Sequence, residues 1–261
     1  MLESTLFPIK EVPVMYDVVR TSTGKIHDVK TGYKLIVRED NDKVLSCMTD
    51  EYQVVTNKEL VDTAVPILEK HKAELKEAVS LADGQKTIYK WIIPGIKIKV
   101  AEGDELNPEI IMKNSYDGTL QVHILAGAFR IVCSNGLIIG VKFGQNNFKH
   151  SVNNVNLKNL NEQIEKTIDH TSNMAEGFEI LSDTEMNERD IFKLVKLFPS
   201  QMSEFLVQYL IAHKPKTYWD LLNCGTYLAS HRMKRHYQST HKLESELFSS
   251  VSKWAENAAK A

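Results

Sequence analysis

The sequence predicts an α+β fold: an antiparallel β-meander in residues 1–150 packed against helices in residues 151–261. Three observations lead there. Short β-branched and aromatic runs fill the first half, punctuated by Pro94-Gly95, Asp117-Gly118 and Asn135-Gly136. Apolar residues at spacings of about three and four fill the second half. No repeat, low-complexity stretch or flexible linker separates the halves, so residues 1–261 read as one compact domain.

The first half resolves into elements in order. Gly32 to Arg38 is a short β-type run, and after the turn-rich Glu39 to Asp42, Lys43 to Met48 pairs back as a hairpin. Thr56-Asn57-Lys58-Glu59 has capping-box spacing, which satisfies the free amides at a helix start. Leu60, Ala64, Ile67, Leu68, His71, Leu75 and Val79 then recur at helical spacing, with Pro66 expected to kink that helix or mark a second start. Thr87 to Ile93 is a strand. Ile96 to Val100 alternates, which predicts one buried face and one wet face carrying Lys97 and Lys99. Glu109 to Asn114, Leu120 to Leu125, Ala128 to Cys133 and Leu137 to Phe143 complete the meander, with Asp117-Gly118 suited to a tight turn.

In the second half, one stripe joins Leu157, Leu160, Ile164, Ile168, Met174, Ala175, Phe178 and Leu181, predicting a long helix from about Asn156 to Leu181. Ser182 to Glu185 has capping-box spacing for a helix that Pro199 ends. Glu204 to His213 is a short apolar helix. Thr217 to Asp220 caps another, and Leu243, Leu247, Val251 and Trp254 mark the last.

Composition and motifs exclude several classes of function. The chain has 32 Lys and Arg against 34 Asp and Glu, a formal net charge of −2, which is no uniformly basic nucleic-acid coat. Its start lacks a basic segment followed by a long apolar run, and no stretch reaches the roughly 18 apolar residues of a membrane span, so a cytoplasmic protein is expected. Cys47, Cys133 and Cys224 form no CxxC pair. His231, His236 and His241 recur every five residues, about 140° apart on a helix, and could not converge on one ion from a single helix. There is no HExxH, no GxSxG elbow and no phosphate-binding Gly-rich loop. No catalytic residue, metal or cofactor is therefore expected.

Charge position is more telling. Residues 151–200 hold nine acids and five bases, whereas residues 205–242 hold six bases and one acid. Aromatics interleave with that basic stretch: Tyr209, Tyr218, Trp219, Tyr227 and Tyr237. Basic side chains beside aromatic rings can follow a phosphate backbone and stack bases, although a solvated helix face would also be charged. On the helix beginning near Tyr218, Tyr227, His231, Lys234 and Arg235 fall on the exposed side. Arg232 falls toward the apolar side, where it should be paired internally or line a cleft unless the helix stops first. Lys242 extends the basic set. Arg130, inside an apolar strand, suits either a phosphate or an interior carboxylate. Asn114 and Tyr116 could contact a phosphate or base, or merely serve a turn.

Three motif groups carry a resemblance: Asn114-Ser115-Tyr116-Asp117-Gly118-Thr119, then Phe129 to Leu137 with Lys149-His150-Ser151 after it, then Thr217 to Thr226 with His231 following. Together they resemble a phage- and plasmid-borne family, domain of unknown function 932, over roughly Tyr52 to Trp254. Gly136-Leu137 departs from it, since the family often has a threonine after the asparagine. The resemblance implies a bacterial mobile-element setting, with an accessory role in DNA replication, recombination or host takeover. The expected function is thus DNA binding, single-stranded DNA included, without catalysis. Its candidate contacts are Lys97, Lys99, Asn114, Tyr116, Arg130, Lys149, His150, Tyr227, His231, Arg232, Lys234, Arg235 and Lys242. The alternative is a non-catalytic module that binds a host or phage protein through the acidic surface of residues 176–190. Self-association is left open by the sequence.

Overall fold

Antiparallel pairing organises the first half into two sheets, seen in a computed structural model that describes residues 2–20, 25–101, 104–120, 122–130, 135–137, 159–172, 175–233 and 237–260. The smaller sheet is β1 (Ile9–Arg20), β2 (Lys25–Arg38) and β3 (Val44–Thr49), in that order. The expected hairpin of residues 32–38 and 43–48 is the end of β2 with β3. Strand β1 was not expected. Pro13 obscures it, and Pro is tolerated there because β1 is an edge strand whose register shifts between Pro13 and Met15.

The larger sheet has the order β4-β5-β7-β8-β9, with β6 beside the start of β7. Its strands are β4 (Glu74–Leu81), β5 (Lys86–Ile92), β6 (Ile98–Ala101), β7 (Asp104–Ser115), β8 (His123–Arg130) and β9 (Asn135–Leu137). The predicted antiparallel meander is present in β5, β7 and β8, but the runs expected over 120–125 and 128–133 fall on the single strand β8, and Asn135-Gly136 pairs within β9 instead of turning the chain. Residues 131–133 and 138–143 of the expected strands lie outside the described residues. The alternation of β6 is present too: Ile98 and Val100 are buried while Lys97 and Lys99 are exposed.

Helix α1 (Asn57–Lys70) starts at the predicted box, with Thr56 Oγ1 accepting from the Glu59 amide and Glu59 accepting from the Thr56 amide. Pro66 lies inside α1. Leu75 and Val79 do not continue it. Lys72 takes a φ of 52°, the chain turns, and both residues enter β4, where Val79 pairs with Ile88. Their helical spacing is overridden by pairing with β5.

Within the long helix expected over residues 156–181, the described residues form α2 (Leu160–Ser172) and α3 (Ala175–Asp183), with 156–158, 173 and 174 outside the described residues. They serve different cores. Leu160, Ile164 and Ile168 pack with α1 residues Leu60, Ala64 and Leu68 against Tyr89, Ile110 and Met112 of the sheet. Phe178 and Leu181 instead join Ile98, Val100 and Leu106 and a helical cluster. That cluster draws on α4 (Glu188–Leu197), α5 (Ser203–His213), α6 (Tyr218–His231) and α7 (Tyr237–Ala259). Because α3 runs to Asp183, Ser182 donates back to the Glu179 carbonyl and cannot cap the next helix. Asn187 caps α4 instead, accepting from the Arg189 amide at 2.9 Å. Strand β7 reaches both cores, through Leu106 at one end and Ile110 and Met112 further along. The result is the predicted α+β arrangement.

Candidate functional site

The Asn114 to Thr119 motif is an interior lock. Asn114 and Tyr116 are fully buried. The Tyr116 hydroxyl accepts from the Asn57 amide at 2.8 Å, so a first-turn donor of α1 is satisfied from a residue far along the chain. Asn114 Nδ2 donates to the Val55 carbonyl at 2.8 Å and to Asn57 Oδ1 at 3.0 Å, and Thr87 donates to the same Oδ1 at 2.7 Å. Ser46 donates to the Tyr116 carbonyl at 2.5 Å and Tyr52 to the Ser115 carbonyl at 3.0 Å, tying the small sheet and its following loop to β7. Gly118 has a φ of 69°, and a Cβ there would meet Met48 Cε at 2.8 Å. Asn114 and Tyr116, expected from the sequence as nucleic-acid contacts, are therefore corrected: both are buried, and the Asn114 Nδ2 and the Tyr116 hydroxyl are turned inward to hold elements together.

The aromatic residues of the basic stretch divide in the same way. Tyr218 and Trp219 are buried, donating to Asp190 Oδ2 at 2.5 Å and Asp104 Oδ2 at 2.8 Å. Tyr209 and Tyr227 are only half-buried and meet across α5 and α6, with ring centroids 5.4 Å apart and planes within 13°. The exposed His213, one turn beyond Tyr209, stacks on it at 3.8 Å and 22°, its Nδ1 2.8 Å from the Tyr209 carbonyl. Phe205, one turn earlier and 40% exposed, lies at 6.4 Å and 29°. His231 follows Tyr227 at 4.9 Å. The four-residue spacing of 205, 209 and 213 puts three rings on one face of α5, and 227 and 231 supply two more from α6. Lys214 and Lys216, which follow α5, are exposed, as is Arg232 at the end of α6.

For Arg232 the stated exception holds: helix α6 stops at His231, so Arg232 becomes its C-cap residue and is exposed. Lys99 stands on β6 and Lys97 just before it, apart in sequence from the ring cluster, and Lys97 is paired with Glu105 at 2.7 Å. Lys242 is exposed on α7. Backbone pairing places Arg130 on β8 opposite Leu106 and Asn135, while its side chain lies outside the described atoms. Lys149, His150, Lys234 and Arg235 lie outside the described residues. Of the predicted contacts, the structure thus gathers Tyr227, His231 and Arg232, and adds Phe205, Tyr209 and His213. The signal for the added three was their spacing of four.

A buried charge cluster was missed by the sequence reading. Alternation puts Glu109, Ile111 and Lys113 on one face of β7, and both charged residues are buried. Burial pushes the Glu109 carboxyl up to about 7, opposed by Lys90 and reinforced by Glu244 and Glu77. Glu244 of α7 is likewise pushed up to about 7 by burial, although Ser230 donates to it at 2.6 Å. Burial, then the like charge of Lys90, lowers the Lys113 ammonium to about 8. Two charges at equal parity within an apolar strand were the available clue. The cluster brings groups that exchange protons near neutral pH together inside the protein. Among the described residues, no group of three or more His, Cys, Asp or Glu is placed to hold a metal ion. Nor is any described helix long and apolar enough to cross a membrane.

Comparison with known proteins gives a family and little more. Two Escherichia coli K12 proteins, UPF0380 protein YfjQ and UPF0380 protein YafZ, are each 51% identical to this chain over 43 residues. Each match covers 16% of this chain and 16% of the relative's length. No solved structure matches. The family described as "Domain of unknown function (DUF932)" matches residues 44–247, a span that takes in the Asn114 lock, the ring cluster and the buried charges. The chain belongs to the domain of unknown function 932 family.

Proposed function

We propose that this protein is a non-catalytic DNA-binding accessory of a phage or plasmid, working in the bacterial cytoplasm during replication or recombination. Single-stranded DNA is its substrate in this reading. The observation that carries it is the near-parallel set of rings at Tyr209, Tyr227 and His213, edged by exposed Phe205, Lys214 and Lys216. An unpaired base can extend such a stack by its π-face, whereas a paired base in a duplex is already stacked on both sides. The neighbouring cations would neutralise phosphates and release counterions. Anisotropy of a labelled oligothymidylate, compared with a duplex of equal length, tests this. Phe205→Ala with His213→Ala, both exposed, should weaken single-strand binding about tenfold without changing the thermal midpoint. Equal binding by the parent and this variant would refute the stacking role.

One observation favours a second reading, in which the protein binds a host or phage protein. Phe192 and Ile211 are each 67% exposed, and Glu179, Asp183, Glu185 and Glu188 form an exposed acidic border around α3 and the start of α4. An interface anchored on Phe192 and Ile211 would lose little affinity as salt rises, unlike DNA binding.

A further inference from the structure

A groove of about 420 Å³ lies between the start of α4, the start of α6 and the end of α7, and shares no residue with the ring cluster. Its volume falls within the range of roughly 300–1,000 Å³ that accommodates small ligands. The groove is lined by Arg189, Asp190, Lys193, Tyr218, Trp254 and Asn257, among others. Asp190 is buried, and both of its oxygens are engaged: Oδ2 accepts from the Tyr218 hydroxyl at 2.5 Å, and Oδ1 pairs with Lys193 Nζ at 2.5 Å. That pairing fixes the Lys193 ammonium 5.6 Å from the centroid of the Trp254 ring. Arg189 is exposed and has no acidic partner among the described residues. The groove therefore offers an aromatic face, a positioned ammonium and an uncommitted guanidinium together.

Each feature alone is unselective. An indole face receives many apolar rings, and a pair of cations receives many anions. In combination they match a planar ring that carries a phosphate: the ring on Trp254, the phosphate between the fork of Arg189 and the point charge of Lys193. Asp190 and Lys193 cancel in charge and Tyr218 covers the second carboxylate oxygen, so the net attraction for the phosphate comes from Arg189, with Lys193 as a further hydrogen-bond donor. Asn257, at the same wall, can both donate to and accept from a ring edge.

We propose that this groove binds a nucleoside 5′-phosphate, either as a free nucleotide or as the 5′-phosphorylated end of a strand. The intact protein is titrated with adenosine 5′-monophosphate, followed by calorimetry and by tryptophan fluorescence. Trp254 is the half-buried reporter, whereas Trp91 and Trp219 are buried. Saturable binding is expected, with adenosine alone and inorganic phosphate alone each at least about tenfold weaker. Arg189→Ala, at an exposed position, should weaken the nucleotide about tenfold with the thermal midpoint unchanged. Trp254→Phe should remove the fluorescence response and weaken, without abolishing, the calorimetric signal. Oligothymidylates with and without a 5′-phosphate separate the two sources. An Arg189-dependent preference for the phosphorylated strand assigns a strand end, and equal binding of the two strands with retained nucleotide binding assigns a free nucleotide. No binding of the nucleotide at millimolar concentration overturns the proposal, and so does binding that Arg189→Ala leaves unchanged. Tyr209→Leu should not alter nucleotide binding, so this site and the ring cluster succeed or fail separately.

Discussion

The Asn114 to Thr119 motif and the α5–α6 ring cluster are both built around tyrosines, yet they sit in opposite environments. In the first, Tyr116 is fully buried and its hydroxyl serves the α1 amide of Asn57. In the second, Tyr209 and Tyr227 stack at 5.4 Å on a half-open face beside exposed His213 and Phe205. The difference teaches that a family motif can mark an assembly point as readily as a contact surface. A polar group locked indoors contributes to stability, because leaving its partner unpaired there is expensive. A ring stack left half open retains a face for something else.

The comparison can be broken most sharply at Tyr116. Tyr116→Ala should destabilise the protein by about 3–5 kcal/mol, since it empties an aromatic site and strands the Asn57 amide. Urea denaturation reads this directly, and a loss below about 1 kcal/mol would show that the motif is not a lock.

Next comes the pH dependence of the buried carboxyls. Glu109 and Glu244 have folded pKa values raised to about 7, so the folded state holds more protons than the unfolded one between about 4.5 and 7. Stability should therefore fall as pH rises through that window, by up to roughly 3 kcal/mol for a shift of this size at one site. Glu109→Gln should flatten the fall, and an unchanged stability–pH curve would show that Glu109 is not the group responsible. Lys113, lowered to about 8, acts in the other direction: its neutral form is favoured by folding, so stability should recover as pH rises above about 8.

At the open face the expected effects are on binding. Tyr209→Leu keeps apolar bulk against the core but removes the ring shared by Phe205, His213 and Tyr227. Single-strand affinity should drop by about 1–2 kcal/mol, with a smaller change in stability. If stability alone changes, the rings are packing and nothing more.

The smallest structural effect is expected for Lys234→Ala with Arg235→Ala, which should leave the unfolding free energy within about 0.5 kcal/mol of the parent. The same pair should make the salt dependence of single-strand binding shallower by about 1.4, the yield of two phosphate contacts. Arg232→Ala should likewise be mild in stability, since Arg232 is exposed at the end of α6. An unaltered salt slope for the double variant would favour the protein-partner reading.

What the sequence determined by itself was what neighbours within a few residues decide. The capping boxes at Thr56–Glu59 and Thr217–Asp220 are both formed, β6 alternates as read, and Gly118 takes the positive φ of the turn read between β7 and β8, although Asn135-Gly136 lies within β9. Tertiary structure decided the rest. Leu75 and Val79 keep helical spacing but lie in β4, because β5 pairs with them. The described members of the stripe fill two different cores, Leu160, Ile164 and Ile168 in one and Phe178 and Leu181 in the other. Asn114 is interior because Asn57, 57 residues away, meets it, and Tyr209 stacks on Tyr227 only once α5 and α6 are packed. Two caps and the β6 alternation follow from local backbone geometry, which the sequence displays directly, whereas Ser182–Glu185 has the same box spacing and fails because α3 continues into it. Burial and ring stacking depend on distant segments arriving together, and no spacing along one chain encodes which segment will arrive.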